Sequence, residues 1–472
     1  MQAPTTLQNI SYKVKAYSIE WVISCLLNLL TEASDETLIK ITYLLERLTR
    51  TEVKRETIQI VRSAFQSNHP VKDLARRLFR ELHPNCKRGL LINFIVQSIF
   101  AEGTTRAAYR TRYGEPPPFV VLISPTMRCN LHCRGCYASQ YNRASDLDPE
   151  TLDRLLEECK EIGVNFITLV GGEPFIYEPT LEIFEDHRNV VFQVFTNGTM
   201  IDEKMAEKLA ELGNVAPAIS IEGFKEETDA RRGPGTFDAI MRAMNHLREA
   251  GVLFFFSVCS TRHNYKVVVS DEFVDMLVEK GAALGWYFHY MPIGRDCDLS
   301  LMPTPEQRNY VRARVNHLRS RKPILLVDFW GDGPLVEGCL AGGKLYVHIN
   351  NKGDVEPCIF CHFAVDNIKD KSLVEILNSD FFKAIRESQP FGHNDLRPCP
   401  LIDHPGAMAG LVEKYGAYPT HKGAESLFNE FIPHLREYAQ NVAQIYKKVW
   451  DEEYKWVYEW RSGQSRKSTR NH

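Results

Sequence analysis

The sequence predicts an α/β fold, with a parallel sheet in the middle of the chain and helical regions before and after it. Two observations predict this fold. From Phe119 to Arg319, short β-branched or aromatic runs alternate with helical patterns, as βα units require. Before this stretch and after Pro405, apolar residues recur mainly at helical spacing.

The first 113 residues carry helical periodicity and few strand signals. Helices are expected over Ile19–Leu30, Asp35–Thr49, Arg55–Gln66, Pro70–Leu82 and Leu90–Ala101. The proline-rich stretch Gly114–Pro118 then predicts a stiff linker, because proline disfavours helix and favours extended chain. We therefore predict a helical N-terminal region over residues 1–113.

Six βα units are predicted to follow the linker, over residues 114–321. Strands are expected near residues 119–124, 166–170, 190–195, 216–221, 253–259 and 286–291. Helices are expected near residues 149–162, 178–187, 201–212, 236–249, 269–280 and 304–319. Such units form a partial barrel or an open doubly wound sheet, and both arrangements place functional loops at the carboxyl ends of the strands.

The remainder of the chain is predicted to change character twice. Residues 322–405 form a small segment in which Lys344–Ile349 and Asp354–Pro357 flank a turn sequence, as in a β-hairpin. Residues 406–461 return to helical periodicity. Residues 462–472 are polar and basic, which predicts a disordered tail.

Composition excludes several classes of function. The chain has 57 basic and 60 acidic residues, so there is no overall charge to attract nucleic acid. No signal peptide is recognised, and the apolar stretches are shorter than the ~20 residues that span a bilayer. A cytoplasmic protein is expected, in which the 12 cysteines serve as metal ligands, redox groups or core residues rather than disulfides.

A compact cysteine motif follows the first predicted strand. Cys129, Cys133 and Cys136 form a C-x3-C-x2-C pattern, and three thiolates can hold three irons of a [4Fe–4S] cluster. The fourth iron is then free to chelate the amino and carboxylate groups of a cofactor. A zinc site is the alternative, but zinc usually takes four ligands from paired C-x2-C units, and His132 lies in the same short loop.

With these cysteines, Gly171-Gly-Glu-Pro174 at the end of the second strand resembles the radical S-adenosylmethionine (SAM) superfamily. The resemblance covers roughly residues 119–400 and implies a partial (β/α)6 barrel, with Cys129, Cys133 and Cys136 as the catalytic cluster ligands. It also implies that the glycine segment contacts the SAM amino group. Paired glycines allow close approach of the backbone, and a carboxylate pairs with an ammonium. The resemblance implies that this contact is made by Gly171, Gly172, Glu173 and Pro174.

Two further strand ends are similar to family positions that contact SAM. The resemblance implies that Asn197, Ser220 and Glu222 contact SAM. Helix capping and turn formation explain the presence of Asn197 equally well. One departure is Gly135, where the family usually has an aromatic residue that covers the adenine. Tyr137 follows instead and is the candidate contact. The segment Tyr290–Gly294 lines the adenine pocket, lines the substrate cavity, or is a packing turn.

A second cysteine group resembles the opening of the SPASM/twitch extensions, which hold auxiliary [4Fe–4S] clusters. Cys339 and Cys358 are separated by thirteen residues, Gly353 and four more residues. Cys399 is the expected third ligand, and either Cys361 or His362 is the fourth. One auxiliary cluster is favoured over a zinc site, and the cysteines for the two clusters of a full SPASM domain are absent. Cys25, Cys86, Cys159, Cys259 and Cys297 are expected mainly in the core.

The resemblance implies that one electron enters the first cluster, that SAM is cleaved to methionine and a 5′-deoxyadenosyl radical, and that this radical removes hydrogen from a substrate. A low-potential donor, ferredoxin or flavodoxin, is the expected partner. The auxiliary cluster would accept an electron from the substrate or bind the substrate, and the sequence leaves both roles open. It also leaves the substrate and the oligomeric state open.

A small molecule or a lipid is the favoured substrate. A peptide-modifying maturase is the alternative. It is less favoured because many peptide maturases carry a small winged-helix module that binds the leader peptide, and the helical N-terminal region has no three-stranded segment to form one. Apolar helices at 18–30 and 88–101 and the stretch Trp450–Trp460 suggest peripheral membrane contact, with a helical cap or dimer interface as the favoured explanation. Two alternatives belong to other classes of protein. One is a non-catalytic iron–sulfur scaffold or electron carrier, and the other is a zinc-binding interaction protein. The Gly-Gly-Glu-Pro segment argues against the scaffold.

Overall fold

The computed structural model describes residues 35–48, 52–67, 69–90, 105–294 and 297–455. The predicted helix over Ile19–Leu30, all but the first residue of the predicted helix over Leu90–Ala101, and the predicted tail over 462–472 lie outside these residues. Most of the predicted elements can therefore be compared with the structure directly.

The described part of the N-terminal region is helical, as predicted. Its helices are α1 (Asp35–Leu48), α2 (Glu52–Gln66), α3 (Val71–Glu81), α4 (Pro84–Leu90) and α5 (Thr105–Tyr113). Hydrogen bonds from Arg77 and Asn85 are among the contacts that tie this region to the rest of the chain. Arg77 donates hydrogen bonds of 2.5 and 2.6 Å to the carbonyl oxygens of Val278 and Ala282. Asn85 donates one of 2.9 Å to the carbonyl oxygen of Glu211.

A nine-stranded sheet forms the centre of the molecule, in the order β7-β6-β5-β4-β3-β2-β1-β8-β9. Its strands are β1 (Val120–Ile123), β2 (Phe166–Leu169), β3 (Val191–Thr196), β4 (Val215–Ser220), β5 (Phe255–Ser260), β6 (Leu284–His289), β7 (Leu325–Asp328), β8 (Tyr346–Ile349) and β9 (Val355–Glu356). Neighbouring strands from β1 to β7 are parallel. The six predicted strands are confirmed, and β7 adds a seventh parallel strand.

Helices connect the parallel strands, as βα units require. They are α6 (Pro149–Glu161), α7 (Thr180–Asp186), α8 (Glu203–Leu212), α9 (Lys225–Arg232), α10 (Thr236–Glu249), α11 (Asp271–Lys280) and α12 (Pro305–Arg319). Local signals fix their ends. Asp148 caps α6 by accepting a hydrogen bond of 2.8 Å from the Thr151 amide, and Pro149 occupies the first turn.

The sheet is curved into a partial barrel. The rings of Phe195 on β3 and Trp286 on β6 lie 6.4 Å apart between centroids, although β4 and β5 separate their strands. In a flat sheet, three strand spacings would hold their backbones roughly 14 Å apart. The opposite face packs on the helices, where the Phe184 ring of α7 lies 4.8 Å from Phe192. Of the two predicted arrangements, the partial barrel is therefore the one observed.

The predicted β-hairpin belongs to the main sheet. Strands β8 and β9 are antiparallel around the turn Asn350–Gly353, and Gly353 has φ of +93°. Strand β8 also pairs in parallel with β1, with Val120 opposite Tyr346 and Ile123 opposite Ile349. The hairpin is thus not a separate extension, because it completes the edge of the barrel beside the cysteine loop. One buried core runs from Tyr109 to Val449, so the domain division at 113, 321 and 405 stays a prediction.

The last described region packs helices on the auxiliary segment. Its elements are α13 (Gly333–Val336), β10 (Phe363–Ala364), α14 (Leu373–Leu377), α15 (Asp380–Glu387), α16 (Ala407–Tyr415), β11 (Tyr418–Pro419) and α17 (Ile432–Val449). The Arg308 side chain of α12 donates hydrogen bonds of 2.5 and 3.1 Å to the carboxylate of Asp403. Among the described helices, none combines the length and the apolar character needed to cross a membrane.

Candidate active site

The three cysteines of the first motif lie in the loop that follows β1. Cys129, Cys133 and Cys136 are each partly buried. Burial raises the pKa of the Cys129 and Cys136 thiols, and the neighbouring cysteines raise it further. The thiolates therefore repel one another unless a cation lies between them, which is the condition that an iron cluster satisfies.

The paired glycines attach the end of β2 to this cysteine loop. The amide of Gly172 donates to the Thr126 carbonyl at 3.0 Å, and the amide of Glu173 donates to the Arg128 carbonyl at 2.8 Å. A Cβ atom on Gly172 would lie 2.1 Å from the Arg128 carbonyl oxygen. The close approach that glycine permits thus joins the two sequence motifs directly.

The Glu173 side chain is fully buried and ties β2 to β3. Its carboxylate accepts hydrogen bonds from the Thr196 hydroxyl at 2.8 Å, the Asn197 amide at 2.7 Å and the Phe175 amide at 3.2 Å. Burial raises the pKa of this carboxyl to about 6. The carboxylate that the resemblance assigns to the SAM ammonium is therefore occupied by three donors from the protein.

Asn197 and Ser220 lie at the ends of β3 and β4. The Asn197 side-chain nitrogen donates to the Asn130 side-chain oxygen at 2.8 Å and lies 3.9 Å from the Cys129 sulfur. The Ser220 and Ser257 hydroxyl oxygens are 3.2 Å apart. Asn197 thus positions the loop that carries Cys129, which adds a positioning role to the capping role predicted from the sequence.

Glu222 pairs with two partly buried arginines that the sequence motifs did not indicate. Its Oε1 atom accepts hydrogen bonds from Arg231 and Arg232, with Arg232 Nε at 2.9 Å. Its Oε2 atom accepts from the Cys259 amide at 3.0 Å. Burial opposes the charge of Arg231, but Cys259, Glu222 and Cys133 hold its pKa above the usual range. The adjacent arginines in the helix after the fourth strand were the available signal.

Gly135 and Tyr290 fit together. Gly135 has φ of +65°, and a Cβ atom there would lie 2.5 Å from the Tyr290 ring. The Tyr290 ring therefore occupies the space that a side chain at position 135 would enter. Tyr137 instead packs towards the second cysteine group, where its ring centroid lies 6.0 Å from that of Phe360.

All four candidate thiols of the second cysteine group line one cavity. These are Cys339, Cys358, Cys361 and Cys399. Cys361 donates its amide to the Cys358 carbonyl at 2.9 Å, so the chain turns tightly between them. Burial raises the pKa of each thiol, and neighbouring thiols of the group raise it further for Cys339, Cys361 and Cys399. Four converging thiols fit an auxiliary iron–sulfur cluster.

His362, the alternative fourth ligand, is directed away from this cavity. Its Nδ1 atom lies 2.6 Å from His421 Nε2, and its Nε2 atom lies 2.8 Å from the Ile359 carbonyl oxygen. Burial lowers the pKa of His362 to about 4. Because both ring nitrogens already have partners, the structure favours Cys361 over His362.

A buried polar network links the barrel to the auxiliary segment and was not predicted. Ser124 Oγ lies 2.8 Å from His348 Nε2, and His348 Nδ1 lies 2.7 Å from a Glu356 carboxylate oxygen. The Tyr141 hydroxyl donates to the same carboxylate at 2.8 Å. Its members come from the residue after β1, from β8 and β9, and from the turn after Cys136, so the network connects the segments that carry the two cysteine groups.

His289 at the end of β6 is a buried histidine whose pKa is depressed. It is buried against Trp330, with 5.3 Å between ring centroids, and neither ring nitrogen has a hydrogen-bond partner among the described residues. Burial lowers its pKa from 6.5 to about 3. Below pH 6.5 the unfolded chain protonates this histidine whereas the folded protein does not. The free energy of unfolding is therefore full above pH 6.5 and decreases as the pH falls towards 3.

We predict that His289→Leu removes this loss. Between pH 7 and pH 5, His289 should lower the free energy of unfolding of the wild-type protein by roughly 2 kcal/mol. The leucine variant should not show this decrease. Urea unfolding of both proteins at pH 7 and pH 5 measures the difference. Parallel pH dependence of the two proteins would contradict the prediction.

Comparison with known proteins identifies the family. The family model described as the radical SAM superfamily matches residues 123–276, and the model described as an iron–sulfur cluster-binding domain (SPASM) matches residues 339–400. The mycofactocin maturase MftC of Mycobacterium tuberculosis is 31% identical over 302 residues, which are 59% of this chain and 75% of that protein. The chain belongs to the radical SAM superfamily. It is a radical SAM enzyme that uses SAM and a [4Fe–4S] cluster, with auxiliary iron–sulfur binding.

Other relatives agree with this assignment. The Fe-coproporphyrin III synthase of Methanosarcina barkeri is 29% identical over 228 residues, and the match spans 46% of this radical SAM chain and 57% of that protein. The crystal structure of Streptococcus suis SuiB bound to S-adenosylmethionine has a TM-score of 0.54 and 16% identity, over 70% of this chain and 87% of that one. This last likeness concerns the fold alone.

Proposed function

We propose that Cys129, Cys133 and Cys136 hold the catalytic [4Fe–4S] cluster and that SAM binds beside it, at the carboxyl ends of the barrel strands. The observation that carries the proposal is that three cysteines with interacting charges share one loop, to which the glycine segment is hydrogen-bonded and beside which a partly buried arginine pair lies. When bound, the cluster and SAM supply a 5′-deoxyadenosyl radical for hydrogen abstraction. The protein contributes binding, orientation and exclusion of water.

The residues around the cysteine loop have distinct tasks in this proposal. Arg231 and Arg232 offset the negative charge of the thiolates, and Glu222 fixes both guanidinium groups. Asn197 and the glycine segment hold the loop in place. In this proposal the backbone of Gly171–Pro174 contacts the SAM amino group, Ser220 contacts the ribose or the carboxylate, and Tyr137 stays the candidate contact for the adenine.

We further propose that Cys339, Cys358, Cys361 and Cys399 hold one auxiliary [4Fe–4S] cluster. The shared cavity supports a common site for these cysteines, because all four thiols line it together with the rings of Phe329, Trp330 and Phe360. Such an apolar surrounding lowers solvent access, which is one of the factors that set the potential of a cluster.

The choice between Cys361 and His362 gives a prediction. Cys361→Ala should lower the iron content from about eight to about four atoms per chain, whereas His362→Ala should leave about eight. Iron and sulfide are counted after anaerobic reconstitution, and circular dichroism checks that both variants are folded. Loss of iron in the histidine variant alone would assign the ligand to His362.

Enzymes of this family need a reductant and a substrate. We propose ferredoxin or flavodoxin as the donor, in the cytoplasm, where thiols stay reduced. A small molecule or lipid remains our first candidate for the substrate, supported by the likeness to a coproporphyrin enzyme over part of the barrel. The second candidate is a peptide, supported by the 31% identity to a mycofactocin maturase.

Anaerobic reconstitution tests the proposed function. The protein with iron and sulfide restored is mixed with dithionite and SAM, and 5′-deoxyadenosine is quantified by liquid chromatography. We expect a brown protein with about eight irons per chain that forms 5′-deoxyadenosine. A reconstituted protein that leaves SAM intact would favour the iron–sulfur scaffold, and a colourless zinc-loaded protein would contradict both cluster assignments.

A further inference from the structure

The concave face of the barrel carries aromatic rings that are only partly buried. On β6 the side chains of Trp286 and Phe288 are partly exposed, while Tyr287 between them is buried on the helical side. Phe195 on β3 and Phe329 after β7 are partly exposed as well. A fully packed barrel would bury such rings, so this face offers apolar surface to a ligand.

The rings form one continuous wall, which we call the aromatic wall and define as Phe195, Trp286, Phe288 and Phe329. Trp286 and Phe288 are stacked, with 6.0 Å between centroids and 13° between planes. Phe288 lies 5.9 Å from Phe195 and 5.1 Å from Phe329. Flat faces of this kind favour aromatic partners, which gain from offset or edge-to-face stacking beyond their buried area.

The aromatic wall extends between the two cysteine groups. At one end, Phe329 lines the cavity of the auxiliary thiols and lies 6.5 Å from Phe360. At the other end, Cys259 shares a face of β5 with Ser257 and is close enough to Cys136 for their charges to interact. A group bound on this wall would thus lie within the space that both proposed clusters border.

Small side chains between the rings leave room for a ligand. Ala218 pairs with Phe195 in the register of β3 and β4, and Ser257 pairs with Trp286 in the register of β5 and β6. Alternation along the strands puts all four on the concave face.

Two hydrogen-bond donors on this face have no partner in the protein. Trp286 Nε1 and Gln193 Nε2 are buried and unbonded within the described part of the chain. A buried donor without an acceptor costs about 1–3 kcal/mol, so a ligand that supplies an acceptor recovers this free energy. The Glu222 carboxylate is already paired with Arg231 and Arg232, and the Glu173 carboxylate accepts from Thr196, Asn197 and Phe175. The wall residues themselves are apolar and uncharged, and they lie beside two free donors.

We propose that the aromatic wall binds the reacting part of the substrate and that this part is a flat, uncharged aromatic or conjugated ring carrying an oxygen acceptor. The inference rests on the proposed function and names its substrate class. The ring comes either from a small molecule or from an aromatic side chain of a peptide. In both cases the oxygen accepts from Trp286 Nε1 or Gln193 Nε2.

The test uses umbelliferone, a flat lactone with a carbonyl acceptor, as the probe. Its binding to the reconstituted enzyme with SAM, but without reductant, is measured by saturation-transfer-difference NMR. Trp286→Phe keeps the ring and removes the donor, and Phe195→Ala removes a ring. Each should weaken binding about tenfold. Tyr310→Ala, on an exposed tyrosine of α12 outside the wall, should leave binding unchanged.

Competition identifies the source of the ring. 4-Quinolone, an uncharged ring with a carbonyl oxygen, is tested as a competitor of the probe, as are a peptide ending in tyrosine and the same peptide ending in alanine. Decanol serves as the saturated competitor. Displacement by 4-quinolone without the tyrosine peptide, or by the tyrosine peptide without 4-quinolone, supports the proposal and assigns the source. The proposal is overturned if umbelliferone does not bind, if the wall variants bind as well as the wild type, or if decanol displaces the probe best.

This experiment is separate from the test of the proposed function. A wild-type enzyme that forms 5′-deoxyadenosine but fails to bind the probe contradicts only the substrate class. A wild-type protein that binds the probe but never cleaves SAM contradicts only the catalytic proposal. Iron content and circular dichroism of the Trp286 and Phe195 variants confirm that a lost signal reflects the wall rather than misfolding.

Discussion

Cys133→Ala is expected to reduce 5′-deoxyadenosine formation below detection, a loss of at least about a thousandfold. The reason is that two thiolates cannot retain a cluster whose remaining iron must stay open for the cofactor. The variant should also lose about four irons per chain while keeping the auxiliary four. Chromatography of the nucleoside product and iron analysis measure both effects on the same reconstituted sample.

Cys86→Ala is the matched control. Cys86 is fully buried in α4, far from the cysteine loop, with its sulfur 3.9 Å from the Ala210 carbonyl oxygen. Its replacement leaves a small cavity that costs about 1 kcal/mol of stability, with iron content and SAM cleavage unchanged. If Cys133→Ala retained the turnover of this control, the assignment of the catalytic cluster would be wrong.

Asp403→Asn is expected to lower the free energy of unfolding by about 3–5 kcal/mol, the largest stability effect that we predict. The Arg308 and Asp403 side chains are 1% and 0% exposed, and removing the carboxylate leaves a buried guanidinium without a counter-charge. The same carboxylate accepts from the Cys399 amide at 3.1 Å, so the pair also supports a proposed auxiliary ligand. Urea unfolding monitored by circular dichroism gives the change.

Asp271→Asn provides the comparison at a solvated site. Asp271 pairs with Arg314 and Lys322, but its side chain is 46% exposed, and such pairs contribute up to about 1 kcal/mol. The same chemical change should thus have a several-fold smaller effect at this position. Equal shifts in the urea midpoint for the two variants would show that burial of the Arg308 pair does not determine its contribution.

The sequence was sufficient to predict what depends on local pattern. Strand and helix periodicity located the six βα units to within a few residues, because each element buries one face at a fixed repeat. The spacing of Cys129, Cys133 and Cys136 and the position of the glycine segment likewise pointed to one edge of the barrel. These signals are local in the chain, and the resemblance supplied their chemical meaning.

Contacts between distant segments could not be predicted in this way. Ser124, His348 and Glu356 give no joint pattern, since their proximity depends on the pairing of β8 with β1. Cys361 and His362 are neighbours in sequence, yet a one-residue step reverses the direction of the side chain, so spacing alone left them equivalent. Glu173 was assigned to a ligand by resemblance, whereas its buried carboxylate is bonded to β3.

The pairing of β8 with β1 also bears on how the protein is made. Val120 pairs with Tyr346, so the ribosome must add the residues between them before β1 gains its second neighbour. At ~5–20 residues per second this takes on the order of ten to fifty seconds. Throughout that interval β1 pairs with β2 on one side only, and its opposite edge is unpaired. Iron delivered during translation would therefore meet a half-built site, and cluster insertion into the finished chain is the order that this topology favours.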